Sequence, residues 1–169
     1  MAALLAHFDG REHYALACDF VEHVLQIWEG SHDERLVRVH APDFTLRLVV
    51  SARRAWAAGE VDDAGLHRTW QYAAGELVVL TDYVGPPLAT APLLRAATAV
   101  LVAACTLVAT RVDEPVSVRA ARAASGARAA RACAAVANGA EDGGASARLA
   151  EYAWQRWRAL ELLAETASM

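Results

Sequence analysis

The stretch DFVEHVLQIWEGSHDE, Asp19 to Glu34, gathers five carboxylates and two histidines into sixteen residues. Those side chains bind metal ions and exchange protons, so their spacing decides what they can do. On a helix turning ~100° per residue, Asp19, Glu22, His23, Gln26 and Glu29 share an arc of about 120°. A di-iron carboxylate bundle needs Glu-x-x-His on two helices and further glutamates from two others. Here His23 follows Glu22 directly, no His-x-x-x-His pair exists, and no second helix carries an inward Glu/His set. The expectation is therefore no metal and no cofactor. The arc is either a solvated, partly paired helix face or an acidic surface for a partner.

Other chemistry is missing as well. Ser51 and Ser125 lie among Ala and Arg with no base nearby, ASGAR lacks the Gly-x-Ser-x-Gly elbow, and no glycine-rich phosphate loop precedes a helix. His7, His13, His32, His40 and His67 stand at irregular spacings that suit surface or interhelical hydrogen bonding. The chain reads as a non-enzyme. Cys18, Cys105 and Cys133 form no C-x-x-C pair, which fits buried free thiols in a reducing cytoplasm.

Net charge of −4 opposes general nucleic-acid binding, which needs excess cations. All sixteen basic residues are arginine, read first as compositional bias. The opening MAALLAHFDGR lacks the basic region and the long apolar run of a signal peptide. The longest uncharged helical run, AATAVLVAACTLVAT from Ala96 to Thr110, is too short for the ~20 residues of a membrane span and reads as a buried central helix. A cytoplasmic protein with no membrane contact is expected.

The elements that position these residues follow from periodicity and punctuation. The length suits a single domain over 1–169, and alanine, the best helix former, makes up roughly a quarter of the chain. Six helices are expected in a compact all-α bundle with an alanine-rich central hairpin. The first runs from Arg11 to Glu29 and turns Leu16, Ala17, Phe20, Val21, Val24, Leu25, Ile27 and Trp28 inward. Pro42-Asp43 opens the second, after a short turn over 35–40, and Gly59 stops it. Asp62 or Asp63 caps the third, which carries Leu66, Trp70, Ala73, Leu77, Leu80 and Val84 on one stripe, with Gly75 suggesting a close neighbour. VGPPLATAP is a break. Thr90 caps the fourth helix and Pro92 sits in its first turn. Asp113 caps the fifth, Pro115 starts it and Asn138-Gly139 ends it. Its Arg119 and Arg122 point opposite to Arg128 and Arg131, which suits arginine stems reaching carboxylates from both flanks better than a DNA-reading stripe. AEDGGAS reads as a mobile loop, and the sixth helix, from Ala147 to Thr166, is expected to bury Leu149, Ala153, Trp157, Leu160 and Ala164.

Three segments carry a family resemblance. DFVEHVLQIWE (Asp19 to Glu29) resembles the DCAEHVLPIFE-type first helix of Imm-5-like immunity proteins, small helical proteins assigned to polymorphic-toxin systems. ARRAWAAGEV (Ala52 to Val61) is similar to that family's ARAWARGEI-like helix end, and EYAWQRWRALELL (Glu151 to Leu163) resembles its closing ERAWQ…RELL helix. Gln26 stands where the family has a proline, and the family's DDRPRRAI segment has no clean counterpart. The resemblance implies stoichiometric, non-catalytic binding of a protein partner, a toxin domain, by a monomer or homodimer. On that reading Asp19, Glu22, His23 and Glu29, with Glu60, Asp62 and Asp63 at the next turn, would oppose a basic cleft. The alternatives are a small-molecule enzyme or sensor on a helical bundle, or a regulatory homodimer.

Overall fold

A computed structural model describes residues 2–8, 10–29, 46–88, 92–108 and 115–168. Among them the chain forms seven helices and no strand: α1 (Ala2–Leu5), α2 (Gly10–Glu29), α3 (Leu46–Ala57), α4 (Asp63–Leu88), α5 (Pro92–Val108), α6 (Val116–Ala137) and α7 (Ala145–Ala167). The all-α expectation holds, with the short α1 as the extra helix. Its Leu5 is buried, and the Leu5 carbonyl accepts a hydrogen bond from the His13 ring at 2.7 Å. The expected 35–40 turn, the Pro42-Asp43 start and the Thr90 and Asp113 caps lie outside the described residues. So do Thr110 and the side chains of Leu77, Leu80 and Val84.

The core is built on α2, α5 and α6. The pairing of α5 with α6 is the most extensive in the molecule, and α2 lies against both. α3 packs on α2, α4 and α5, while α7 lies mainly on α6 with a smaller contact to α2. On α2 the wheel is obeyed: Leu16, Ala17, Phe20, Val21, Val24 and Leu25 are buried, and Ile27 and Trp28 partly so. Each large side chain among them contributes roughly 1.5–3 kcal/mol by leaving water. α5 buries Ala96, Ala97, Val100, Leu101, Ala103, Ala104, Leu107 and Val108, although Val102 reaches solvent. Burying an alanine removes little apolar area. The six buried alanines of α6 therefore stabilise mainly by letting helices approach closely enough for dense contact.

Helix ends follow the local chemistry. Gly59 (φ 78°) and Gly139 (φ 84°) take the left-handed conformation that terminates α3 and α6. In both places the next residue's N–H reaches back five residues, Glu60 to Ala55 at 2.8 Å and Ala140 to Ala135 at 3.0 Å. Asp62 caps α4 by accepting from the Gly65 N–H at 2.7 Å.

Four expectations need correction. α4 runs on through Gly85, Pro86 and Pro87 to Leu88, so the break falls after the prolines. A proline in a helix's last turn gives up an N–H and crowds the carbonyl four residues back, and the helix ends within one residue of the second. Among the described residues nothing lies within 4 Å of a Cβ added at Gly75. AEDGGAS is a tied turn, because Asp142 accepts from the N–H groups of Gly144 at 2.9 Å and Ser146 at 2.8 Å. Hydrogen bonds from the Ser146 side chain first, then from the Ser146 and Gly144 N–H groups, pull the Asp142 carboxyl below its ordinary value. Most important, α7 is turned over. Leu149, Ala153, Trp157, Leu160 and Ala164 face solvent, and Glu151, Gln155 and Ala159 are buried in their stead.

Burial also sets thiol chemistry. It pushes the Cys18 thiol up to about 12 and the Cys105 thiol up to about 11. Since the thiolate is the nucleophile, alkylation of native Cys18 at pH 8 is expected to run on the order of 10³-fold slower than in the urea-unfolded chain. Mass spectrometry of iodoacetamide-treated protein checks this, and labelling of native Cys18 at the unfolded rate would contradict its placement.

Candidate functional site

The acidic residues of α2 face arginines from two other helices. Asp19 is held on both oxygens: Oδ1 accepts from Arg54 Nη2 and Oδ2 from Arg158 Nε, each at 2.7 Å. Glu22 accepts from the same Arg54 nitrogen at 2.6 Å. Glu29 takes the Nε and Nη2 of Arg47 on its two oxygens at 2.6 and 2.9 Å, a bidentate pair. Arg158 also donates to Glu161 at 2.7 Å. Burial alone would lower the Arg54 guanidinium, but its hydrogen bonds to Asp19 and Glu22 outweigh that and raise it above the ordinary arginine value.

These contacts stitch α3 and α7 onto α2. Exposed pairs of this kind contribute about 0–1 kcal/mol each. Asp19 is different, because its side chain is only 12% exposed and touches both partners. It does not stand on the solvent side of the wheel, and reversing its charge would disturb the fold.

The turn residues have local tasks. Asp62 caps α4, and Asp63 accepts from the Trp56 indole N–H at 2.7 Å. Glu60 is exposed, and its N–H closes the end of α3.

His23 leads to a feature that sequence reasoning missed. Its Nδ1 donates to Glu151 Oε2 at 2.9 Å, and its ring lies flat on Trp154 with centroids 3.6 Å apart and planes at 10°. Glu151 is buried on α7 and also accepts from Arg131 Nε at 3.3 Å and Gln155 Nε2 at 3.1 Å. Arg131 Nη2 donates to the His23 carbonyl at 2.6 Å, and with its amide oxygen turned inward Gln26 accepts from both Arg131 Nη atoms at 3.1 Å. Gln155, fully buried, donates to the Ala124 carbonyl at 3.0 Å and accepts from Arg128 Nη1 at 2.6 Å.

The network joins α2, α6 and α7 at one point. Its signal in the sequence was Glu151 and Gln155 four apart on one helix, facing Arg128 and Arg131 three apart on another. Chemically it is an occupied knot, because three donors converge on Glu151.

Two further surfaces stand out among the described residues. A groove of about 420 Å³ lined by Leu48, Ser51, Ala52, Ala55, Thr69 and Tyr72 runs between α3 and α4. Among its described lining residues there is no carboxylate, histidine or cysteine, and Tyr72 is the one titratable group. The other surface is the outer row of α7, where Leu149, Trp157 and Leu160 are 69%, 56% and 52% exposed, beside the exposed Arg148 and Arg156.

Among the described residues no three His, Cys, Asp or Glu side chains gather as a metal set, and no helix is long and apolar enough to cross a membrane. Comparison with protein families, curated proteins and solved structures finds no match to this chain.

Proposed function

We propose that the protein acts by stoichiometric binding of another protein and catalyses nothing, as its resemblance to Imm-5-like immunity proteins implies, with a toxin domain as the partner. The observation that carries this reading is the outer row of α7. Leu149, Trp157 and Leu160 stand on a helix anchored from behind by Glu151 and Gln155, so the row is presented rigidly. Interfaces draw most of their energy from a few such apolar and aromatic anchors. The flanking Arg148 and Arg156 favour a partner whose apolar patch has a carboxylate rim. The acidic face supports the reading less, because Asp19, Glu22 and Glu29 already accept from Arg54, Arg158 and Arg47. A basic cleft would have to displace those arginines.

The test is binding and neutralisation of a toxin domain, sought first in the reading frames beside this gene. Trp157→Ser with Leu160→Ser is expected to weaken the complex by about 2 kcal/mol, roughly 30-fold, with the melting temperature unchanged. Glu22→Gln with Glu29→Gln should change affinity less than threefold. The reverse pattern would move the interface to α2, and wild-type protein that forms no complex would end the reading.

A further inference from the structure

Arg53 lies on α3 with only 1% of its surface exposed, heading the fully buried side chains among the described residues. Its guanidinium carbon sits 3.5 Å from the Tyr14 ring centroid and 4.3 Å from that of Trp56. Neither its Nε nor its Nη2 has a hydrogen-bond partner among the described residues. Those two rings stand at 77° to each other with centroids 5.3 Å apart, so the guanidinium lies flat on at most one of them, and neither ring face offers the lone pair of a conventional hydrogen bond.

Those two nitrogens form one edge of the fork. The same edge of Arg47, six residues earlier on α3, holds both oxygens of Glu29 at 2.6 and 2.9 Å. One arginine thus has its side edge filled by a carboxylate at the surface, and another, in the interior, has no partner on that edge among the described residues. Asp63 acts on Arg53 through its field, yet its Oδ1 is taken by the Trp56 N–H. Buried Arg119 on α6 adds a second positive charge nearby. Burial first, and Arg119 after it, bring Arg53 down from the usual arginine value to about 10. A buried guanidinium whose side edge has no partner among the described residues suits an anion.

We propose that the Nε/Nη2 edge of Arg53 binds the carboxylate of a small organic acid, held in the guanidinium plane beside Tyr14 and Trp56. A planar carboxylate matches the two-donor edge one to one, whereas a phosphate brings more acceptors than that edge can fill. Tyr14 and Trp56 are half-buried, so they are where the surroundings of Arg53 reach solvent. The burial of Arg53 fits a molecule small enough to pass that pair, and not a side chain fixed to a partner's surface. The site is separate from the α7 row, so it stands or falls apart from the protein-binding reading.

The experiment uses the full chain with acetate, benzoate, inorganic phosphate and chloride at matched ionic strength. Either carboxylate should raise the melting temperature by several degrees over chloride and shift the Arg53 Nε–Hε NMR signal with saturation, while phosphate should do neither. Arg53→Lys keeps the charge without the fork and should lose the carboxylate increment. Arg53→Met removes the buried charge and should be indifferent to all four salts, which keeps the test open should the lysine variant fold poorly. No carboxylate effect in the wild type, the same effect in Arg53→Met, or a phosphate effect larger than the carboxylate effect would each overturn the proposal.

Discussion

Glu151→Ala is expected to destabilise the protein by about 3 kcal/mol, the low end for breaking a buried ion pair from one side. Glu151 is the one acceptor at which α2, α6 and α7 meet, through His23, Arg131 and Gln155. Its removal leaves Arg131 and Gln155 with donors facing the hole. The low end applies because Arg131 is 25% exposed and keeps the His23 carbonyl, so water and that bond relieve part of the loss. For a chain of this length the shift in melting temperature is on the order of 10 °C. Glu151→Gln keeps an acceptor oxygen and should cost less than half as much. A Glu151→Met, Arg131→Met double variant should be more stable than Glu151→Met alone, since removing both charges leaves none stranded. Urea denaturation decides it, and a Glu151→Ala loss under 1 kcal/mol would show that the three helices do not depend on this knot.

The same network explains where the sequence could be read and where it could not. α2 has one apolar half, and burial follows it from Leu16 to Leu25. Glycine at the ends of α3 and α6 and aspartate before α4 act within one helical turn, so local spacing was enough. α7 offers two stripes. Leu149, Trp157 and Leu160 are the more hydrophobic, but Glu151, Gln155 and Ala159 face the core because Arg128 and Arg131 are there to satisfy them. Periodicity ranks faces by hydrophobicity and carries no information about a partner helix.

The acidic arc was likewise legible as composition and not as pairing. Arg158 reaches Asp19 across 139 residues of sequence and Arg54 reaches it across 35, distances that no local pattern records. The idea that arginines of α6 extend to carboxylates holds for Arg131, which meets Glu151, while Arg128 meets an amide instead. Arg53 escaped notice because an arginine amid SARRAW reads as surface, and only the fold places it beneath Tyr14 and Trp56.

Two glycines then give opposite answers to one substitution. Gly126 lies where α6 crosses α5, and a Cβ there would stand 2.7 Å from the Ala103 Cβ and 3.3 Å from both the Ala103 Cα and the Ala99 carbonyl oxygen. These atoms belong to a helix backbone or sit directly on it, so no flexible side chain can swing away and the helices must part. Alanine at 126 would gain about 1 kcal/mol in helix propensity. Loosening the closest contact of the alanine-rich pair loses more, as overpacking costs about 1–3 kcal/mol. Gly126→Ala is therefore expected to lower stability by up to about 2 kcal/mol, and Gly126→Val, which adds an isopropyl group with a stiff χ1, by about 3 kcal/mol. Ala103→Gly should recover part of the Gly126→Ala loss by removing the opposing methyl. At Gly75 nothing lies within 4 Å of the added atom, so Gly75→Ala keeps the propensity gain and should stabilise by up to about 1 kcal/mol. Urea midpoints for both alanine variants, measured side by side, give the comparison. Should Gly126→Ala match or exceed the wild type, α5 and α6 do not cross at the distance that organises this core.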